Sequence, residues 1–192
     1  GTVVDYDYEL DNKWLAGEII GDTVIQQEFT AREDRLSKIS IIIATLDRKN
    51  SGLVDISIME QDSGKKIADY EMDMSQIEDN SRFDIQFSRQ KHSKGKKYLL
   101  NITGIDGEVG SSVTMYVSSM VKGFGSMMVN GQKIDGRLSF SLGYYSQRLQ
   151  IFKVAVWLVV MLLSYAFVCL FKKADEKTFL KLAFTIGICL VV

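Results

Sequence analysis

Apolar and polar residues alternate with a period of two along most of residues 20–145. In residues 82–88, for example, Phe83, Ile85 and Phe87 are apolar, whereas the residues between them are charged or polar. Because successive side chains of a strand point to opposite faces of a sheet, this pattern is typical of strands with one face on a core. Four further runs predict these core residues: Val54, Ile56 and Ile58; Tyr98, Leu100 and Ile102; Val113, Met115 and Val117; Leu138, Phe140 and Leu142.

Two further features complete the β pattern. Residues 40–46 read SIIIATL and are apolar on both faces, which predicts a central strand that is covered on both sides. Turn-forming Gly, Asn, Asp and Ser residues separate the runs, at 48–52, 62–64, 93–95, 106–107 and 130–131, and residues 74–79 are predicted to form a single helical turn. Eight or more short strands with such turns predict an all-β fold: an antiparallel β-sandwich, jelly-roll-like and carbohydrate-binding-module-like, over residues 1–148.

A transmembrane helix is predicted at residues 149–171, because the 21 residues 151–171 carry a single charge, Lys153. At about 1.5 Å per residue, such a helix spans about 30 Å, the thickness of a bilayer core. Lysines concentrate after it, so the positive-inside rule predicts a cytoplasmic turn at 172–178 and an extracytoplasmic location for residues 1–148. Residues 179–192 are expected to start a second, truncated transmembrane helix of a multi-pass protein of the plasma membrane.

Composition excludes several classes of function. The chain has 23 Lys and Arg against 24 Asp and Glu, and this near-neutral balance is unlike the basic surface of a nucleic-acid-binding protein. Both cysteines, Cys169 and Cys189, lie in apolar runs, so no disulfide framework is expected in the outer domain. A single histidine, His92, excludes a multi-histidine metal site, and no phosphate-binding loop or serine-nucleophile motif is present. We therefore predict no cofactor, no metal and no catalytic residue in this chain.

Alternating acidic residues, at positions 5 to 11 and 69 to 73, raise the alternative of a calcium site. A strand separates side chains on one face by about 6 to 7 Å, which is too far for shared coordination without other ligands. A solvated strand face is the preferred interpretation for both sets.

Aromatic residues give a stronger indication of binding. Tyr116 falls on the outward register of its strand together with Ser112, Thr114 and Ser118, which predicts an exposed ring on a hydroxyl-rich face. Such a surface is suited to stacking on a sugar ring, so Tyr116, Thr114 and, as a second aromatic residue, Trp14 are the candidate carbohydrate-binding residues. The alternative is an ordinary amphipathic tyrosine that covers the sheet.

Several short motifs occupy turns and core positions: Gln27-x-Phe29, residues 44–52 (ATLDRKNSG), Asp79-Asn80, Ser93-x-Gly95 leading to Tyr98, and Asn130-Gly131 before Gly136-x-Leu138-x-Phe140. With these motifs, and with the order of sandwich, helix, Lys-rich turn and further helix, the chain resembles the extracytoplasmic domains of bacterial multi-pass membrane proteins of the predicted envelope-polysaccharide glycosyltransferase type. The resemblance covers residues 17–192. It implies catalytic acids in loops after later membrane helices, beyond Val192.

Three hypotheses about function follow. The leading one is a non-catalytic extracytoplasmic accessory domain in cell-envelope polysaccharide assembly that contacts glycan. The alternatives are the N-terminal fragment of a membrane glycosyltransferase and a structural packing module without a ligand. The expected partners are the lipid bilayer, an envelope glycan or lipid-linked sugar, and the remaining transmembrane helices of the same protein. A cleft with exposed rings and amides favours glycan contact, whereas a large apolar patch favours packing.

Overall fold

A computed structural model describes residues 2–6, 14–119, 124–146 and 148–171, with side chains over 14–119, 124–145 and 151–166. Val3–Tyr145 forms one compact unit, and the helix belongs to a second. The described residues form thirteen strands, one 3₁₀ turn and one helix: β1 (Thr2–Tyr6), β2 (Trp14–Glu18), β3 (Val24–Thr30), β4 (Leu36–Ala44), β5 (Leu53–Glu60), β6 (Lys66–Asp73), the 3₁₀ turn (Met74–Gln76), β7 (Ser81–Gln90), β8 (Lys97–Gly104), β9 (Thr114–Ser118), β10 (Phe124–Val129), β11 (Gln132–Ile134), β12 (Arg137–Leu138), β13 (Phe140–Ser146) and α1 (Arg148–Phe171).

The strands form two antiparallel sheets, which confirms the predicted all-β sandwich architecture. One sheet has seven strands in the order β1-β13-β4-β9-β12, with β2 paired to β9 and β7 paired to β4. The other has six strands in the order β11-β10-β3-β8-β5-β6. Consequently β6 ends the second sheet, and β7 lies at an edge of the first.

The core lies between the two sheets. All twelve apolar residues that the four alternating runs place inward are fully buried. Phe29 of β3 stacks on Tyr98 of β8 and meets Phe140 of β13 edge to face, with ring centroids 5.5 Å apart in both pairs. Burying a large apolar side chain stabilises a fold by about 1.5–3 kcal/mol, so this shared core is the main favourable contribution to the sandwich. One polar side chain, Gln27, also joins the sheets, because its Oε1 accepts a hydrogen bond from the Leu138 N–H at 3.0 Å.

The predicted central strand corresponds to β4, which pairs with β7 on one side and with β13 and β9 on the other. It ends at Ala44, two residues earlier than the predicted run, because Leu46 and Asp47 have positive φ angles of 59° and 55°. The predicted hairpin at Asn130-Gly131 is confirmed, since both residues have positive φ, 50° and 76°, as a two-residue turn requires.

Two predictions, one about β7 and one about the turn that precedes it, need correction. Ile85 is buried as predicted, but Phe83 and Phe87 are only half-buried, because β7 lies at a sheet edge where few side chains cover them. The helical turn predicted at 74–79 is a shorter 3₁₀ turn, Met74–Gln76, whose N-cap is Asp73.

Helix α1 lies where the apolar run predicts a helix. Within the described residues, however, no helix combines the length and the apolar character that a membrane crossing requires. The transmembrane assignment therefore stays a prediction. The predicted cytoplasmic turn and second helix, residues 172–192, lie outside the described residues.

Candidate functional site

Tyr116 lies on β9 with its ring half-buried. Its hydroxyl donates a hydrogen bond to Oδ1 of Asn80, in the turn that precedes β7. The neighbouring Asp79 accepts hydrogen bonds from the Thr45 N–H at 2.6 Å, the Thr45 hydroxyl at 2.8 Å and the Leu46 N–H at 3.0 Å. These bonds, that from the Thr45 side chain foremost, lower the pKa of Asp79. Tyr116 is thus part of a network that holds two turns together.

The hydroxyl-rich face predicted beside Tyr116 is not exposed. Thr114 is only 1% exposed, and its Oγ1 donates to the carbonyl oxygen of Gly17 in β2 at 2.7 Å. Ser112 and Ser118 are fully buried. The Ser112 hydroxyl donates to the Glu108 carbonyl oxygen at 2.8 Å, and the Ser118 hydroxyl lies 2.5 Å from that of Ser139. The prediction of an outward, hydroxyl-lined surface is therefore wrong for these three residues, because other segments of the chain cover them. The predicted role of Thr114 in carbohydrate binding stays a prediction.

Trp14 lies apart from Tyr116. In the register of β2 on β9, Trp14 opposes Val117 whereas Leu15 opposes Tyr116. Directly opposed residues of an antiparallel pair project from the same face, so the two aromatic residues lie on opposite faces of the sheet. The indole is 40% exposed and covers Gly136, where a methyl group would come within 2.8 Å of Trp14 Cζ2. The structure does not bring Trp14 and Tyr116 into one site.

An open cleft of about 500 Å³ lies elsewhere, between β6 and β7. These strands are edges of different sheets, and each pairs on one side only among the described residues. The cleft continues along the 3₁₀ turn and the segment that leads from it into β7. The cleft is therefore a gap between the two sheets. It lies at the side of the sandwich where residues 74–80 connect β6, an edge strand of one sheet, to β7, an edge strand of the other.

Tyr70 is the exposed aromatic residue of this cleft. It lies on β6 opposite Ile56, and its ring meets Phe83 of β7 edge to face, with centroids 5.4 Å apart and planes at 74°. The side chain is nevertheless 46% exposed. Such edge-to-face pairs contribute about 0.5–1.5 kcal/mol beyond burial, so Phe83 holds the Tyr70 ring while much of the ring surface stays in solvent.

Polar groups line the rest of the cleft. Gln76 supplies an amide, Ser81 a hydroxyl and Arg82 a guanidinium group. Glu71, Asp73 and Glu78 also contribute to the wall of the cleft, and all three side chains are exposed. Glu71 and Asp73 lie on the face of β6 opposite to that of Tyr70. The residues around the cleft therefore carry hydrogen-bonding groups and an excess of negative charge.

Asp73 also shapes the cleft. Its Oδ1 accepts a hydrogen bond from the Ser75 N–H at 2.9 Å and so caps the 3₁₀ turn. Hydrogen bonds from the side chain and backbone of Ser75 lower the pKa of Asp73. This carboxylate remains ionised at neutral pH and fixes the turn that forms the floor of the cleft.

The described residues contain no group of three or more His, Cys, Asp or Glu side chains placed to hold a metal ion. The acidic residues at 69 to 73 alternate along β6 and do not converge. Of the other predicted set, residues 7–13 lie outside the described residues, as does the side chain of Asp5.

Comparison with models of known protein families gave no match, and neither did comparison with curated proteins.

Tyr70 is not among the residues that the sequence pattern indicates as candidates for binding. The alternation along β6 places Asp69 and Glu71 outward and Tyr70 inward, which is the face it occupies. Its exposure comes from its position on an edge strand beside a gap between the sheets. One local signal was available: a tyrosine flanked on both sides by carboxylates, in a run with few large aliphatic residues.

Proposed function

We propose that the β-sandwich is a non-catalytic, glycan-contacting domain whose ligand lies in the cleft between β6 and β7. The single observation that carries this proposal is the exposed Tyr70 ring, held by Phe83 in a cleft of about 500 Å³. Ligand sites combine an apolar surface with a few polar groups, and the residues that line this cleft include both kinds. An aromatic face packs against the C–H face of a pyranose, while Gln76 and Arg82 are suited to its hydroxyl groups.

The charge of the cleft indicates a class of glycan. Three carboxylates and one guanidinium group give an excess of negative charge, and at close range like charges repel. A polymer that carries uronic acids or phosphates is disfavoured in this environment. The proposed ligand is therefore a neutral glycan or one with free amino groups.

The proposed setting of this domain is the outer face of a membrane. We propose a jelly-roll-like domain that is followed by a transmembrane helix at 149–171 and lies on the extracytoplasmic side of a multi-pass membrane protein. This setting is supported by the apolar run at 151–171, the lysines that follow it and the resemblance to envelope-polysaccharide proteins. For the whole protein, a glycosyltransferase with catalytic residues beyond Val192 is the corresponding proposal.

A packing role is a second candidate for the face around Tyr116. Leu15, which opposes Tyr116, and Leu46, next to the Asp79 network, are 39% and 42% exposed. Exposed aliphatic residues favour contact with a protein surface over contact with a hydrophilic glycan. The two candidates concern different residues and are separable by mutation.

The test is a glycan array followed by calorimetry on the purified chain, with neutral, amino-bearing and acidic envelope oligosaccharides. We expect binding of the first two groups, and a loss of at least about tenfold in affinity for Tyr70→Ala, since an aromatic anchor commonly contributes 1.4 kcal/mol or more. Tyr70→Phe keeps the ring and is expected to retain most of the affinity.

Tyr116→Ala is the matched control. It removes a tyrosine that lies outside the cleft, and it is expected to leave the affinity unchanged at a temperature at which the variant is fully folded. Binding that depends on Tyr116 and not on Tyr70 would return the site to the face around β9, and an absence of binding across the array would reject glycan contact.

A further inference from the structure

The two ends of the sandwich differ in charge. Strand register assigns the loops to ends, because β4 and β7 run antiparallel with Leu36 opposite Gln90 and Ile43 opposite Ser81. Residues 31–35 connect β4 to β3 and residues 91–96 connect β7 to β8, which carries the assignment to the other sheet, and the pairings of β3, β5, β6 and β8 extend it there. We call residues 31–35, 60–66 and 89–97 the basic end, and residues 18–23, 45–52, 73–80, 105–112 and 130–135 the acidic end.

The basic end has nine Lys and Arg against four Asp and Glu, and the acidic end has three against nine. Ion pairs neutralise part of the positive charge, since Lys96 lies 2.6 Å from Glu60 and Lys94 lies 3.6 Å from Glu33. Lys91 has no ion-pair partner among the described residues, and its side chain is exposed. The side chains of Lys65, Arg89 and Lys97 are exposed as well, so much of the positive charge at this end is presented to solvent.

The chain leaves the domain at the basic end. The Tyr145 N–H donates to the Arg35 carbonyl oxygen at 2.9 Å, and the Arg32 N–H donates to the Tyr144 hydroxyl at 2.8 Å. The Arg89 guanidinium lies 3.5 Å from the centroid of the Tyr145 ring. After β13 ends at Ser146, helix α1 begins at Arg148. Covalent connection therefore joins the basic end, not the acidic end, to the apolar helix.

From this juxtaposition we infer that the basic end is an interaction surface for the headgroups of anionic phospholipids. The inference rests on the membrane anchoring in the proposed function, because only an anchored helix brings a bilayer to this end. Lys and Arg residues near an anionic surface gain attraction that falls off within a Debye length, about 8 Å at physiological salt. The acidic end, which carries the negative charge near the cleft, is by the same argument repelled from such a surface.

The test uses lysine footprinting of the full chain in nanodiscs of phosphatidylcholine alone or with phosphatidylglycerol, using a neutral acylating reagent and mass spectrometry. Lys49 and Lys133, at the acidic end, are internal controls in the same molecule. We expect Lys91 and Lys94 to be acylated roughly fivefold more slowly, relative to these controls, when phosphatidylglycerol is present. At 1 M salt, where the Debye length is about 3 Å, the difference should vanish.

A charge reversal gives the matched comparison. Lys94→Glu is expected to restore labelling of Lys91 in phosphatidylglycerol discs, whereas Lys49→Glu should not. Equal labelling in both lipids, or an equal effect of the two variants, would overturn the inference.

Flotation of the chain with the discs separates the proposed membrane anchoring from the headgroup contact of the basic end. A chain that floats but shows no lipid-dependent labelling keeps its anchoring and loses the headgroup contact. A chain that fails to float with either lipid overturns both.

Discussion

The face around β9 and the gap between β6 and β7 differ in how many contacts their polar and aromatic side chains make within the domain. At β9, Tyr116 is bonded to Asn80 and Thr114 to Gly17, so both side chains hold neighbouring segments together. At the gap, Tyr70 makes one edge-to-face contact and stays 46% exposed. A strand that is paired on both sides engages its side chains in the fold, whereas a gap between two edge strands leaves the Tyr70 ring partly exposed to solvent.

The largest effect expected from this comparison is on stability. Tyr116→Ala removes a half-buried ring and its hydrogen bond, so we expect the free energy of unfolding to fall by about 2–3 kcal/mol. Tyr70→Ala removes a largely exposed ring and is expected to cost about 1 kcal/mol. Urea denaturation of the two variants measures both values. If Tyr70→Ala lowered the free energy of unfolding by more than Tyr116→Ala does, the contacts of Tyr70 across the gap would be a main source of stability.

A smaller effect isolates the hydroxyl of Tyr116. Tyr116→Phe is expected to destabilise the domain by about 1 kcal/mol, as is typical of one hydrogen bond. Asn80 has a positive φ of 52°, so Asn80→Gly removes the acceptor without adding backbone strain.

Because both single variants remove the same hydrogen bond, the double variant should cost less than the sum of the two. Additive losses in urea denaturation would show that the two side chains contribute independently.

The smallest expected effect is a pH dependence. The pKa of Asp79 is lowered in the folded state, so its stabilising contribution is complete above its unfolded pKa of about 3.9 and is lost as pH falls through the folded value. The melting temperature should therefore drop on acidification below about pH 4. Asp79→Asn and Thr45→Val should each reduce that dependence. Melting curves with an unchanged pH profile in both variants would contradict the role of this network.

Much of the sandwich was predictable because burial follows the period-two pattern, and all twelve inward residues of the four runs are buried. The turn at Asn130-Gly131 was predictable because its residue types tolerate positive φ. The burial of Thr114 was not predictable, since the chain that covers it, at Gly17, is distant in sequence. Tyr70 was missed for the converse reason: alternation reports which face a residue occupies, but not whether the opposite sheet extends far enough to cover it.

Gln27 gives the core a property that its aliphatic residues do not. Apolar contacts are non-directional, so two sheets that meet only through aliphatic side chains can shift slightly relative to each other. An amide on one layer that accepts a hydrogen bond from one backbone N–H on the other, at 3.0 Å, favours the alignment of the two layers in which that bond forms. Any displacement that broke this bond would leave two polar groups unpaired in an apolar core, at a cost of about 1–3 kcal/mol each. A single directional bond therefore gives the two sheets a preferred register that apolar packing alone does not specify.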